Sequence, residues 1–399
     1  MKEGWEIKKL GDVCDKITDG SHNPPKRVDS SDFMMLSSKN IYNDLIHYEN
    51  PRYLTQIEYE KENKRTDVQS NDVLLTIVGT IGRVAVVPSN HPKFTLQRSV
   101  AVLKIKKEAL YSRFLMFSLQ NRLEYLTKEA RGVAQKGIYL KQLKDITIPL
   151  PPLPEQKRIV ALLDKAFTAI DIAKQNASDN LQNAKEVFES YTENLYQSLL
   201  KSRQNNLLDN LAKLVRGPFG GSLTKSMFVE KGYAVYEQRN AIGDFTNDFR
   251  YFITEEKYKE MGRFSVNSGD LLMSCSGTIG KFTVIKQNKV EGIINQALLK
   301  ITPNYDKIDR MYLLFVLRNF INDGKGHSKG AAIKNIVAVK ELKKIEIPLI
   351  TIEEQKQIVE KLDSLSVETK NLEKIYRQKI EDLDELKKSI LQKAFTGEL

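Results

Sequence analysis

The chain has 399 residues, 41% hydrophobic and 28% charged, with a formal net charge of +11 at pH 7, a length that gives two or three domains with real cores. There is no apolar run of membrane-spanning length, and the opening MKEGWEIKKL lacks the apolar stretch of a signal peptide, so a cytoplasmic protein without a membrane span is expected. Cys14, Cys275 and the four scattered histidines show no metal-ligand spacing, which excludes a structural metal from the expectation and leaves reduced thiols.

Residues 1–152 carry 24 Lys+Arg against 18 Asp+Glu. Strand-like apolar runs at 73–78 and 84–87 flank Gly79-Thr80-Ile81-Gly82, and 99–105 alternates as a half-buried strand does. Residues 111–119 then show helical spacing. The pattern is that of a mixed α+β domain, without regular βαβ alternation.

The segment Ile148-Pro149-Leu150-Pro151-Pro152-Leu153-Pro154-Glu155-Gln156 closes this domain. Proline fixes φ and lacks an N–H, so such a run makes a stiff spacer ahead of a helix. From Ile159 through Leu163, Ala166 and Ile170 to Leu199, apolar residues recur in steps of three and four. No Gly or Pro interrupts the 46 residues from Glu155 to Leu200, which predicts a helix of ~69 Å at ~1.5 Å per residue. Its narrow, Ala-rich seam calls for a coiled-coil partner. Residues 153–203 are electrically balanced, 7 basic against 7 acidic.

Residues 204–351 repeat the first domain, with 22 Lys+Arg against 15 Asp+Glu. Ser268-Gly269-Asp270 answers Ser70-Asn71-Asp72, and Gly277-Thr278-Ile279-Gly280-Lys281 answers Gly79-Thr80-Ile81-Gly82-Arg83. Asn295-Gln296-Ala297 answers the stretch around Gln97 and Arg98. The junction returns as Ile347-Pro348-Leu349 through Glu354-Gln355, and 352–399 (9 basic, 11 acidic) reads as a second long helix. The positive excess is confined to the two globular stretches, the footprint of a polyanion-binding protein or of a merely basic surface. The expected fold is α+β: two tandem related domains (1–152 and 204–351), separated by two long antiparallel helices (153–203 and 352–399) that form a coiled coil, with a pseudo-twofold internal repeat.

This organisation resembles the specificity subunit of type I restriction-modification enzymes. The residues that carry the likeness are the Pro-rich Glu-Gln junctions, Thr18-Asp19-Gly20-Ser21-His22, Gly217-Pro218-Phe219-Gly220-Gly221-Ser222, and the ending Ser389-Ile390-Leu391 through Phe395-Thr396-Gly397-Glu398-Leu399. The resemblance implies that each globular domain is a target recognition domain reading half of a bipartite site in double-stranded DNA. It implies helices that set the spacer and bind two methyltransferase (modification) subunits, onto which motor-nuclease (restriction) subunits assemble. Catalysis, with S-adenosylmethionine, ATP and Mg, then belongs to those subunits, and this chain needs no cofactor of its own.

Base-reading candidates are planar or forked donors on loops: Gln238, Arg239 and Asn240, answering Ser38, Lys39 and Asn40, and a second set of Gln97, Arg98 and Gln296. Arg pairs with guanine and Asn or Gln with adenine in the major groove. The alternative for each is a side chain that orders its own turn. Lys26, Arg27, Lys136, Arg216, Lys225, Lys325, Lys329 and Lys334 are candidate phosphate contacts or solvated charges. Thr80, Arg83, Thr278 and Lys281 flank the Gly-Thr-Ile-Gly motif, which is a tight turn between strands; Phe282 stands where a phosphate loop needs Ser or Thr. His22-Asn23-Pro24-Pro25-Lys26 resembles an adenine-methyltransferase motif but has Lys26 where an aromatic must stack, so it reads as a basic loop or an ordinary turn. No residue is assigned a catalytic role.

Overall fold

The computed structural model describes residues 4–130, 137–202, 204–243, 248–287, 289–322 and 339–399. The chain divides into two compact units, Met1–Ser178 with Arg377–Leu399, and Asp179–Tyr376. Both long helices, Leu153–Ser202 and Ile352–Thr396, cross this partition, so each unit holds one globular body and a segment of each helix.

In the first unit a four-stranded antiparallel sheet runs in the order Cys14–Asp19, Val100–Ile105, Val73–Thr76, Val84–Val86. Successive side chains of a strand point to opposite faces, and here both faces are buried. Val73, Leu75, Ala101 and Leu103 pack with Phe114 and Phe117 and with Ile159 and Leu163 of the first long helix. Leu74, Val100 and Val102 face the other way, onto Leu36, Phe94 and Leu96. Double burial explains the unbroken apolar run Val73-Leu74-Leu75, where each such side chain contributes ~1.5–3 kcal/mol. The second face is covered by a small sheet in which Phe33–Leu36 pairs parallel with Lys93–Leu96 and antiparallel with Arg52–Tyr53. The helix expected at 111–119 spans Ser112–Asn121.

The second unit repeats this strand for strand. Its sheet runs Ala212–Arg216, Leu298–Pro303, Leu271–Ser274, Phe282–Val284, and Tyr233–Tyr236 pairs parallel with Gly292–Ile294. The helix Arg310–Asn322 takes the place of Ser112–Asn121. The matched triplets Ser70-Asn71-Asp72 and Ser268-Gly269-Asp270 are turns with Asn71 and Gly269 at positive φ. In each, the aspartate accepts a backbone N–H three residues back, Gln69 N at 2.8 Å and Asn267 N at 2.7 Å.

The Gln of each junction is a buried bolt. Gln156 accepts from Tyr111 N at 2.9 Å and donates through Nε2 to the carbonyls of Ala109 (2.9 Å) and Pro151 (2.8 Å). Gln355 does the same with Asp309 N (2.7 Å) and the carbonyls of Lys307 (3.3 Å) and Ile350 (2.9 Å). Each side chain therefore ties the loop before the domain's helix to the first turn of a long helix. Both joints carry this device, although four prolines surround the first and Pro348 alone the second.

Within the first unit the long helices run antiparallel, with Lys174 paired to Asp384 (2.6 Å) and Asp171 to Lys387 (2.9 Å). Phe167 packs edge-on against Phe117 at 5.5 Å under the Lys387 ammonium. In the second unit Ser366 and Thr369 occupy the places of Phe167 and Ile170, eleven and fourteen residues after the Gln. A cavity of about 590 Å³ opens there, lined by Phe188, Leu314, Arg318, Leu362, Ser366 and Thr369 among others.

Candidate nucleic-acid interface

In each body, four connections meet at one end of the main sheet. Strands Cys14–Asp19 and Val73–Thr76 end there and Val100–Ile105 begins there. Ser99 joins the loops of the first body: its hydroxyl accepts from Ser38 N at 3.0 Å, and its carbonyl accepts from Ile77 N at 2.9 Å. Ser21 is bonded to the same turn, N–H to Leu96 O at 2.8 Å and O to Arg98 N at 2.9 Å. The second body closes its loops likewise, through Cys275 N to Ala297 O (2.8 Å) and Gln238 Nε2 to Thr278 O (3.1 Å).

Gly20 and Gly217 lie directly beneath these turns. A Cβ on Gly20 would collide with the Leu96 carbonyl, and one on Gly217 with the Asn295 carbonyl. The Thr-Asp-Gly and Gly-Pro-Phe motifs thus share one physical requirement, room for backbone to lie on backbone. The residue before each glycine differs. Asp19 is ion-paired with Arg65 and holds His22 Nε2 at 2.8 Å. Arg216 instead reaches Cys275 O at 3.4 Å and lies 5.6 Å from the Phe219 ring, with its Nε buried and without a hydrogen-bond partner.

Gly79-Thr80-Ile81-Gly82 and its repeat are tight turns between strands, with Gly79, Gly82, Gly277 and Gly280 all at positive φ. The hydroxyls of Thr76 and Ser274 accept from Arg83 N and Lys281 N, each at 2.9 Å. Thr80 and Thr278 are exposed on these turns, as are the side chains of Arg83, which donates to Ile41 O at 3.3 Å, and Lys281.

The structure brings Arg27, Lys39, Asn40 and Gln97 together around a cavity of about 460 Å³. Arg52, which sequence reasoning missed, lines it too and holds the loop of Lys26 and Arg27 by donating to Pro25 O at 2.7 Å. Its position in a two-residue strand gave no sequence cue. Phe219, 66% exposed, was also overlooked, since an aromatic in a Gly-rich loop reads as a turn filler. Lys225 sits exposed on a short 3-10 turn, Lys225–Met227. Lys136, Lys325, Lys329 and Lys334 lie outside the described residues.

Two expectations about base-facing donors are corrected. Asn40 and Asn240 are buried, and their amides order the turns: Asn40 accepts from Ser37 N and donates to the carbonyls of His47 and Glu49, while Asn240 accepts from Glu237 N at 2.9 Å. They hold Ser38, Lys39, Gln238 and Arg239 in place instead of facing a groove. The fork of Arg239 is engaged by Asp248, through its carbonyl at 2.7 Å and its carboxylate, so it is not open for a bidentate pair as it stands. Arg98 and Gln296, by contrast, are exposed, and their side chains make no hydrogen bond or ion pair among the described residues.

Burial pushes the Cys14 thiol up to about 12 and that of Cys275 to about 11, which removes both from nucleophilic chemistry at neutral pH. Among the described residues no helix is long and apolar enough to cross a membrane.

The family model for the type I restriction modification DNA specificity domain matches twice, over residues 2–182 and 220–382. Across its whole length the chain is 24% identical to the type I restriction enzyme MjaVIII specificity subunit of Methanocaldococcus jannaschii, covering 94% of that protein. It is 24% identical to the EcoBI specificity subunit of Escherichia coli over 76% of this chain and 69% of that one. The HsdS subunit from Thermoanaerobacter tengcongensis has a similar fold, with a TM-score of 0.67, 19% identity, and coverage of 100% of this chain and 98% of that one. A chain from a structure of the type I R-M system, solved to explain complex assembly and conformational transition, gives a TM-score of 0.72 at 19% identity, with 100% and 99% covered.

Proposed function

The chain belongs to the type I restriction modification DNA specificity domain family, and on that footing we propose that it is the DNA-specificity subunit of a type I restriction-modification complex. Each globular body reads one half of a bipartite duplex target, and the paired helices set the spacing between the halves. The chain itself is non-catalytic. It directs adenine methylation and restriction by two methyltransferase subunits and by motor-nuclease subunits, which supply the sites for S-adenosylmethionine, ATP and Mg. Its place of action is the cytoplasm, where the DNA and those subunits are.

One observation carries this reading. In both repeats, cationic or planar side chains from separate stretches converge on the same end of the sheet. Among the described residues, Arg27, Lys39 and Arg98 are free there in the first body and Lys281 and Gln296 in the second, while Arg83 is bonded to Ile41 O and Arg239 to Asp248. Lys26 and Lys225 are exposed at the flanks, and the half-buried Arg216 with Phe219 sits beside the second cluster. Cations that meet phosphates position a protein, and planar donors that meet base edges give it sequence preference. Two readers in one chain also gain affinity, because the second engagement is intramolecular.

The test is genome-wide mapping of methylated adenines in cells carrying this chain with its cognate methyltransferase subunits. A bipartite motif that disappears when this chain is deleted is the expected result. Sequence-specific methylation by the chain alone refutes the non-catalytic assignment.

A further inference from the structure

The two repeats place different side chains at one structural position, and we infer that Arg98 and Gln296 are the equivalent specificity-determining residues of the two half-sites, Arg98 selecting a guanine and Gln296 an adenine. This assignment rests on the DNA-specificity reading above and deepens it.

Matching by residue type sets Gln97 beside Gln296, because both are glutamines, but the backbone pairs Gln97 with Asn295. Gln97 N donates to Leu36 O at 2.8 Å, and Asn295 N donates to Tyr236 O at 2.9 Å. Val100 N closes the first turn on Gln97 O at 3.0 Å, and Leu298 N closes the second on Asn295 O at 3.1 Å. The polar side chains agree: Gln97 Oε1 accepts from Ser99 Oγ at 3.3 Å, and Asn295 Oδ1 accepts from Ala297 N at 3.0 Å. Gln97 and Asn295 are therefore partners whose side chains brace the turn. Arg98 and Gln296, one residue on, are partners whose side chains leave it.

Three further features favour these two as readers over their neighbours. Each stands on a turn braced from below by a glycine, Gly20 or Gly217, that has no room for a Cβ. Each is exposed, with a side chain that forms no hydrogen bond or ion pair among the described residues. Arg239, the other forked donor at a comparable place, is already engaged by Asp248. A rigid turn with an uncommitted planar side chain is the arrangement bidentate base recognition needs. Arg matches the O6 and N7 acceptors of guanine, and Gln matches the N6 donor and N7 acceptor of adenine.

The experiment uses the full chain assembled with its cognate methyltransferase subunits in a host free of other adenine methylation. Wild type, Arg98→Gln and Gln296→Arg are compared by single-molecule sequencing of methylated adenines. Arg98→Gln is expected to lose a guanine requirement by roughly tenfold or more, and to favour adenine at one position of one half-site, with the other half unchanged. Gln296→Arg should make the reverse change in the other half. An unaltered motif with uniformly weaker methylation makes both residues phosphate contacts and overturns the assignment. If a variant methylates nothing, competition binding of the same complex to duplexes bearing each base at each half-site position decides: a shifted preference at one position supports the assignment, an unshifted one ends it. A wild-type complex without any bipartite motif would instead remove the DNA-specificity reading on which it rests.

Discussion

Replacing Gln156 with leucine tests whether the junction glutamine fastens the first body to the first long helix. Gln156 is fully buried, and its amide meets Tyr111 N–H and the carbonyls of Ala109 and Pro151. Leucine keeps most of the volume, so the change isolates the polar contacts from any cavity. A buried N–H left without an acceptor costs ~1–3 kcal/mol. The two carbonyls cost less, since an acceptor with a second lone pair is more often tolerated half-satisfied. The expected loss is roughly 2–4 kcal/mol. For a body of this size each kcal/mol moves the melting midpoint by about 2–4 °C, a shift readily seen by calorimetry of the full chain. Gln355→Leu should do the same to the second unit, each variant lowering mainly its own transition. Gln156→Glu preserves the shape but points a carboxylate at two carbonyls, so its cost should be larger at neutral pH than in acid. A loss below ~1 kcal/mol for Gln156→Leu would show that the loop is held by other contacts and that the bolt is incidental.

Gly20→Ala and Gly217→Ala should each displace the turn above them, weakening binding to the cognate half-site by tenfold or more. A loss confined to thermal stability, with the same motif and affinity, would count against the turns as reading elements. Lys300 is buried where the first repeat has Val102, and it donates to the carbonyls of Arg263 and Ser265. Burial lowers its pKa below the usual 10.5, so the unfolded chain binds more protons between the folded value and 10.5. Stability must therefore gain a rising component with pH in that window, and Lys300→Val should remove it; equal slopes in urea titrations of the two proteins at alkaline pH would refute this. Inserting a heptad in one long helix should change the preferred spacer and leave both half-sites intact, and a mapped motif with an unchanged spacer would show that the helices are not the ruler.

Much of the fold was legible because it rests on local regularities. The uninterrupted seam from Ile159 to Leu199 required a long helix, and the Gly-Thr-Ile-Gly pairs pointed to tight turns, since glycine, lacking a Cβ, takes the positive φ found at Gly79, Gly82, Gly277 and Gly280 at no steric cost. Duplication made these readings firmer, each motif being confirmed by its copy. The parallel pairing of Phe33–Leu36 with Lys93–Leu96 left no such trace. It joins strands far apart in the chain, and a four-residue strand such as Lys93–Leu96, with polar residues at Lys93 and Thr95, is too short to carry a pattern that names its partner.

The candidate interface was legible by residue type and illegible by role. Sequence alone determined that cations and planar amides recur in two copies between the strands; it placed them on loops, whereas Ser38–Asn40 forms a 3-10 turn and Gln238–Ile242 a short helix. Which of them are free was decided only in three dimensions. Asn40 and Asn240 turn inward, where they accept from the half-buried N–H groups of Ser37 and Glu237. Arg239 is engaged because Asp248 comes within reach, and Arg98 remains open because its neighbour Gln97 takes the bracing bond. These partners lie within nine residues of the side chains that meet them, yet whether a side chain turns back onto its own turn or outward is set by the backbone path, which residue type alone does not fix. The sequence could therefore name the set of donors, and only the tertiary structure could divide it into those that build the turn and those left to meet a ligand.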